Sequence, residues 1–341
     1  MTPAARLPIA CAAIFFVSAA LIGLLVGPVD LGIAAILRTS LSHIPLLHVH
    51  SRLSDSDRAI LWQLRAPRVV LGALVGGMLA LAGASYQGVF RNPLADPYLL
   101  GIAAGAGLGA TLAIVYGRET VHAYDLIPLA AFAGGALGVV AAYALGRSAS
   151  GARSTASLIL AGVTVASFLT AIQTFVQQQH SQSLQEVYSW ILGHLDTAGW
   201  HEVALVAPYI AVSAIVILLH RRVLDVLSVG DEEAASLGVN VGRTRLLVVV
   251  FATVGTAAAV AVSGLIGFVG IIVPHAIRLL LGPSYRLILP LSLLGGAGFL
   301  ILADVIARSV MSPAELPIGV VTAFFGAPFF AVVLRTSRSF S

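Results

Sequence analysis

The stretch Gly77–Gly101, GMLALAGASYQGVFRNPLADPYLLG, decides how the chain is organised. Its first half is apolar and rich in small residues, and keeps that character to about Val89. Arg91-Asn92-Pro93 then ends the helix, since proline cannot continue one. Pro97 marks the restart in another apolar run. One polar hinge, RNPLADP, thus stands between two segments of membrane length.

Composition agrees. Of 341 residues, 58% are hydrophobic and 10% charged, where a soluble domain carries about 25% charge. Its 19 basic residues are all arginine. The absence of lysine excludes a P-loop lysine, a Schiff-base lysine and a lysine general base. ATP, if it drives the protein, binds another chain. Cys11 is the single cysteine, which excludes an intrachain disulfide, and its apolar surroundings predict a small buried residue. The net charge of +4 is spread over loops, which points to membrane topology rather than nucleic acid.

About ten spans are predicted: Ile9–Val26, Val69–Phe90, Tyr98–Tyr116, Ile127–Leu145, Thr155–Val176, His201–Leu219, Leu246–Val262, Ile266–Leu281, Ile288–Ala307 and Ile318–Leu334. The first is read as a transmembrane helix rather than a cleaved leader, because no small-residue cleavage site precedes Gly27-Pro28. The eighth is short and interrupted by glycine and proline, so a broken shape is expected. The chain is expected to form one transmembrane domain over residues 1–341, with an outer loop at 30–64 and an inner loop at 221–245. The arginine bias of the short loops places both termini, the hinge and the 221–245 loop in the cytoplasm.

Gly101, Gly105 and Gly109 share one helix face, as do Gly134 and Gly138, a spacing that lets helices approach closely in lipid. The Gly105–Gly109 run follows no strand, so packing outweighs a dinucleotide loop. Charge inside the spans is scarce, with Arg278 and Asp304 near the ends of theirs. An ion-coupled carrier would need carboxylates near the midplane. An intramembrane protease would need a serine–histidine pair, for which Ser85 and His275 are the obvious residues, without an elbow motif.

The loop Arg221–Arg245, RRVLDVLSVGDEEAASLGVNVGRTR, is too long and apolar to serve only as a connection. Leu224, Leu227, Ala234, Ala235 and Leu237 could form one apolar face on two short helices broken at Gly230. Asp231, Glu232 and Glu233 suit the first turn of the second helix. An interfacial helix pair and a docking site for a soluble partner both fit.

The chain resembles the FecCD-type permeases of binding-protein-dependent ABC importers, which serve iron–siderophores, haem and cobalamin. The resemblance rests on RAPR (Arg65–Arg68), Leu79–Gly101, LAGV (Leu160–Val163), W-x-x-G (Trp190–Gly193), LSVGDEEAASLG (Leu227–Gly238), SGLIGFVGIIVPHAIR (Ser263–Arg278), LAD (Leu302–Asp304) and ELPIGVVTAFFGAPFF (Glu315–Phe330). It implies an all-α polytopic type II importer permease fold in a bacterial inner membrane. Two copies would pair around a pathway, two ABC ATPase subunits would dock below and use the ATP, and a soluble or lipid-anchored substrate-binding protein would dock above. No cofactor is implied for this chain, and it would not itself be an enzyme.

The resemblance also assigns residues. Arg65, Arg68 and Arg308 match positions that face acidic residues of the binding protein, and the alternative for each alone is a helix-end arginine anchoring at headgroups. Asn92, Leu94, Thr155 and Ala156 match a cytoplasmic gate, with Ala156 standing where relatives often carry a small polar residue. Leu224, Leu227, Gly230, Asp231, Glu232, Ala235, Leu237 and Gly238 would couple to the ATPase. Gly193-His194 replaces the usual glycine-serine. His275 is expected as a hydrogen-bonding residue at a helix start. His43, His48 and His50, and His180, His194 and His201, are read as solvated loop residues rather than cargo ligands, since HxH alone is a weak metal signal. An iron–siderophore complex is the expected cargo, with cobalamin and haem as alternatives.

Overall fold

The computed structural model describes residues 3–27, 29, 32, 54–117, 123–148 and 155–337. His43, His48 and His50, and nearly all of the outer loop before residue 54, lie outside the described residues. The described residues are mostly helical: α1 (Pro3–Leu25), α2 (Asp55–Ala59), α3 (Ala66–Phe90), α4 (Ile102–Tyr116), α5 (Ala123–Ser148), α6 (Thr155–Gln179), α7 (Leu184–Ile191), α8 (Trp200–Leu219), α9 (Arg221–Leu227), α10 (Asp231–Ser236), α11 (Val241–Ser263), α12 (Val269–Leu281), α13 (Tyr285–Ser309) and α14 (Ile318–Ser337). Seven are long and apolar enough to cross a membrane, and α4, α12 and α14 are shorter apolar helices. The ten sit where the apolar runs predict them.

Helix α3 is the axis of the bundle. In its span 83% of the apolar stretch is buried, against 11% in α1 at the periphery. Glycine and alanine make this possible, because backbones can meet where no side chain intervenes. A Cβ on Gly83 would lie 1.8 Å from the Gly270 carbonyl oxygen of α12, and one on Gly76 would lie 2.3 Å from that of Gly296 in α13. The predicted glycine faces of α4 and α5 also meet: a Cβ on Gly105 would lie 2.2 Å from Gly134 O, and one on Gly138 would lie 2.7 Å from Gly101 O.

The eighth span is irregular only at its start, around Gly267, and α12 then runs unbroken through Gly270 and Pro274. Residues 264–268 leave the helix, with Gly264 and Phe268 at φ 66° and 69°. The 13-residue α12 that follows reaches about 20 Å, short of a ~30 Å hydrocarbon layer. Irregular backbone at this depth must find internal partners. Tyr98 supplies some: its hydroxyl donates to Ile266 O at 3.1 Å and accepts from Ile266 N at 3.2 Å.

Cys11 is exposed on α1, not buried as its apolar neighbours predict. The run is apolar on all sides, and a peripheral helix in lipid presents apolar residues outward.

Candidate functional site

The end of the bundle opposite the hinge holds a buried ionic cluster. Arg68 donates through Nε and Nη2 to Asp304 Oδ1 at 3.0 and 2.7 Å, and through Nη1 and Nη2 to the two oxygens of Glu315 at 3.0 and 2.7 Å. Arg308, one turn beyond Asp304, lies with Nε 3.6 Å from Asp304 Oδ2 and donates to Gly23 O at 2.6 Å. Arg65 caps the end of α1, donating to the carbonyls of Leu24, Leu25 and Val29. Three sequence motifs, RAPR, LAD and ELP, thus converge on one cluster.

This corrects the reading of the three arginines as surface groups. Arg65 and Arg308 are 4% and 3% exposed, and Arg68 alone of the three is not fully buried. A guanidinium carries five donors, and here the open carbonyls at the end of α1 and two carboxylates satisfy them from inside. Sequence reasoning missed the roles of Asp304 and Glu315. An acid inside a span demands a cationic partner, and that demand was the available signal.

Beside the cluster, the W-x-x-G and SGLIG motifs close on each other and on the ELPIG motif through backbone. Ile318 N and Gly319 N donate to Gly193 O and Leu192 O at 3.1 and 3.0 Å, and His194 N donates to Ser263 O at 2.8 Å. Gly193 sits at φ 78°, and a Cβ on Gly264 would lie 2.0 Å from Trp190 O. His194 follows this turn, its Nδ1 3.1 Å from Asp196 Oδ1. Hydrogen bonding to His194 holds the Asp196 carboxyl below the usual range, with partial burial opposing it. His194, Asp196 and Trp190 border a cavity of ≈ 540 Å³.

At the other end, the hinge is a compact turn. Arg91 takes the left-handed conformation at φ 50° and ends α3. Asn92 Oδ1 accepts from Leu94 N at 2.9 Å, an Asx turn, and Asn92 O accepts from Ala95 N at 3.0 Å. Leu94 is therefore presented at the tip, 50% exposed. Asp96 accepts from Tyr98 N at 2.7 Å and caps the turn Pro97–Leu100. Burial pushes its carboxyl up to about 6, against the pull of that hydrogen bond. The turn packs on α6, where a Cβ on Gly162 would lie 2.2 Å from Leu99 O. Helix α6 begins at Thr155, and the side chains of Thr155 and Ala156 lie outside the described residues.

The 221–245 loop forms the two expected helices, but not one apolar face. Leu224, Leu227 and Ala234 are buried in the bundle core at 0%, 2% and 0% exposure. Gly230 is buried and Asp231 half-buried, whereas Glu232, Ala235, Leu237 and Gly238 are exposed. The correction is that Leu224 and Leu227 anchor the loop, and the outward apolar surface is Val229, Ala235 and Leu237. Two helices this short cannot pack on the core and face outward with the same residues. Asp225 pins the loop to the start of α13, accepting from Tyr285 N at 2.5 Å and Ser284 Oγ at 3.2 Å, with Arg286 Nε 3.2 Å away.

His275 departs from expectation too. It lies in the middle of α12 rather than at its start, with its ring edge-on to Phe329 at 6.0 Å, and its Nδ1 has no hydrogen-bond partner among the described residues. Aromatic packing from α14 replaces the expected hydrogen bond. Ser85 Oγ donates to Leu81 O of its own helix at 2.7 Å. His180 Nδ1 lies 3.1 Å from Val176 O, and among the described residues no group of three His, Cys, Asp or Glu side chains is placed to hold a metal.

The family model described as "FecCD transport family" matches residues 14–336. A cobalamin import system permease protein of Halobacterium salinarum is 42% identical over 281 residues, covering 82% of this chain and 74% of its own. The hemin transport system permease protein of Yersinia pestis is 38% identical over 288 residues, covering 84% of this chain and 86% of its own. Among solved structures, a metal-chelate type ABC transporter in an inward-facing conformation superposes with a TM-score of 0.83 at 28% identity, covering 96% of this chain and 98% of that one. The chain is a multi-pass membrane protein that belongs to the FecCD transport family of ABC importer permeases.

Proposed function

We propose that two copies of this chain form the pathway of a binding-protein-dependent importer, with both termini in the cytoplasm. The observation that carries this reading is the docking loop. It is anchored by Leu224 and Leu227, and it leaves Val229, Ala235 and Leu237 uncovered at the same end as the gate turn. Separate ABC ATPase subunits would cover that surface and hydrolyse the ATP. Leu94, at the hinge tip, would face its counterpart across the pathway and close its cytoplasmic end, with Asn92, Thr155 and Ala156 beside it. A substrate-binding protein would dock at the opposite face, around the rim where Arg68 and Glu315 meet solvent, with Arg65 and Arg308 as buried support.

The cargo is a large metal chelate, read as an iron–siderophore complex. Cobalamin is a second reading, favoured by the 42% identical relative named for its import. The test is uptake into proteoliposomes holding the complete complex, with radiolabelled ferric siderophore and cobalamin offered separately. ATP- and binding-protein-dependent uptake of one is expected, and uptake driven by a proton gradient alone would refute the importer reading. Val229→Asp with Leu237→Asp should lower ATPase co-purification while the permease still folds, and undiminished co-purification would remove this surface from the interface.

A further inference from the structure

One carboxylate joins three elements at the hinge end. Asp231 opens α10, and its Oδ1 lies 3.1 Å from Arg91 Nη2 and 3.1 Å from Arg245 Nη2. Arg91 is the first residue of the hinge that presents Asn92 and Leu94. Arg245 lies in the second turn of α11, and its Nη2 also donates to Asp231 Oδ2 at 3.1 Å. The carboxylate therefore bridges the gate turn, the docking loop and the helix that continues from that loop.

Arg91 reaches this position through an unusual backbone. It is one of two non-glycine residues at positive φ among the described residues. A side chain with a β-carbon is disfavoured there. The left-handed turn ends α3 and aims the guanidinium at α10. The pair is half in solvent, with side chains 42% and 41% exposed. An ion pair that open contributes little to the stability of a fold. It is also easily made and broken, as a contact that switches with conformation must be.

We infer that Asp231 and Arg91 form a latch that holds the gate turn in register with the docking loop, so that displacement of α10 by an ATPase displaces Leu94. Both are positioning residues that touch no cargo. The inference rests on the importer reading and deepens it: the exposed face of the loop receives the push, and the Asp231–Arg91 pair passes it to the hinge. Arg245 donates to both oxygens of the same carboxylate and keeps it aimed when the pair opens.

The test uses the complete complex in proteoliposomes. Leu94→Cys serves as the reporter in a chain whose Cys11 is replaced by serine. Its labelling rate with a water-soluble methanethiosulfonate is measured with and without ATP and vanadate. The rate should change with nucleotide in the otherwise native chain. Arg91→Gln should shrink that change by about 3-fold or more, and Asp231→Asn should do the same. Arg91→Lys keeps the cation and should restore most of it. The thermal midpoint of each complex reports folding separately, so a structural defect cannot pass for lost coupling. A full nucleotide response in Arg91→Gln overturns the latch, as does a lysine variant no better than glutamine. An otherwise native complex that binds no ATPase, or whose reporter ignores nucleotide, refutes the importer reading and the latch with it.

Discussion

Arg68 and Asp304 stand 236 residues apart in sequence, yet the guanidinium Nη2 lies 2.7 Å from the carboxylate Oδ1, with both side chains at most 11% exposed. The pair ties α3 to α13, and Arg308 and Glu315 extend it toward α1 and α14. Removing Asp304 would leave Arg68 with the more exposed Glu315 alone and would take the 3.6 Å carboxylate from the buried Arg308. Asp304→Leu should therefore cost about 3–5 kcal/mol, seen as a lowered thermal midpoint in detergent. Adding Arg68→Met should recover part of that loss. A double variant no more stable than Asp304→Leu would show that the two charges are not coupled.

Asp225 acts as an N-cap supplied by another helix. The first N–H groups of α13 have no partner within it, and the carboxylate also favours the positive end of its dipole. Asp225→Ala should cost about 1–3 kcal/mol, and Asp225→Asn, which keeps an acceptor, should cost less. Thermal unfolding of the purified chain measures both. Equal losses would mean that the acceptor geometry contributes nothing.

Gly83→Ala should be among the most damaging single-methyl changes in the chain. Its new carbon would need the space of the Gly270 carbonyl, 1.8 Å away, and neither backbone can rotate aside. Overpacking commonly costs about 1–3 kcal/mol, and two clashing backbones place this change at the upper end or beyond. Gly267→Ala is the control, because a Cβ there meets nothing within 4 Å. Membrane-inserted yield and detergent stability should separate the two variants, and similar yields would refute the close contact.

Asp96 gives the hinge a pH dependence of known sign. Its carboxyl is raised from 3.8 to about 6 by burial, so the folded state binds the proton more tightly than the unfolded one. Stability is then highest below the ordinary carboxylate value, falls as pH rises from about 4 to about 6, and is level above that. At about 1.4 kcal/mol per unit, the fall is at most ~3 kcal/mol. Asp96→Asn keeps an oxygen acceptor for Tyr98 N and should abolish the fall. Unfolding midpoints of the two proteins across this range should diverge as pH rises, and parallel curves would refute the assignment.

Much of this was legible in the sequence, because lipid simplifies the code. Apolar runs place the ten helices, and glycine spacing marks the close-packing faces of α4 and α5, although not that the two meet each other. The irregular start of the eighth span could be seen in Gly267, whereas Pro274 is carried inside an unbroken α12. Burial of charge was harder. Arg65 and Arg308 look like surface residues because each is judged beside its chain neighbours, while their partners, Leu24 and Gly23, lie on another helix. Leu224 and Leu237 read alike as apolar loop residues, yet one is in the core and the other is 72% exposed. Period alone cannot separate the two faces of helices of seven and six residues.

The seams at Gly83–Gly270 and Gly105–Gly134 carry one more consequence. A joint made of side chains can adjust by changing rotamers, helix by helix. A joint made of main chain has no rotamers to change. The helices on either side must move as one plank or not at all. Any rearrangement that opens a path through this protein is therefore confined to surfaces where side chains still meet.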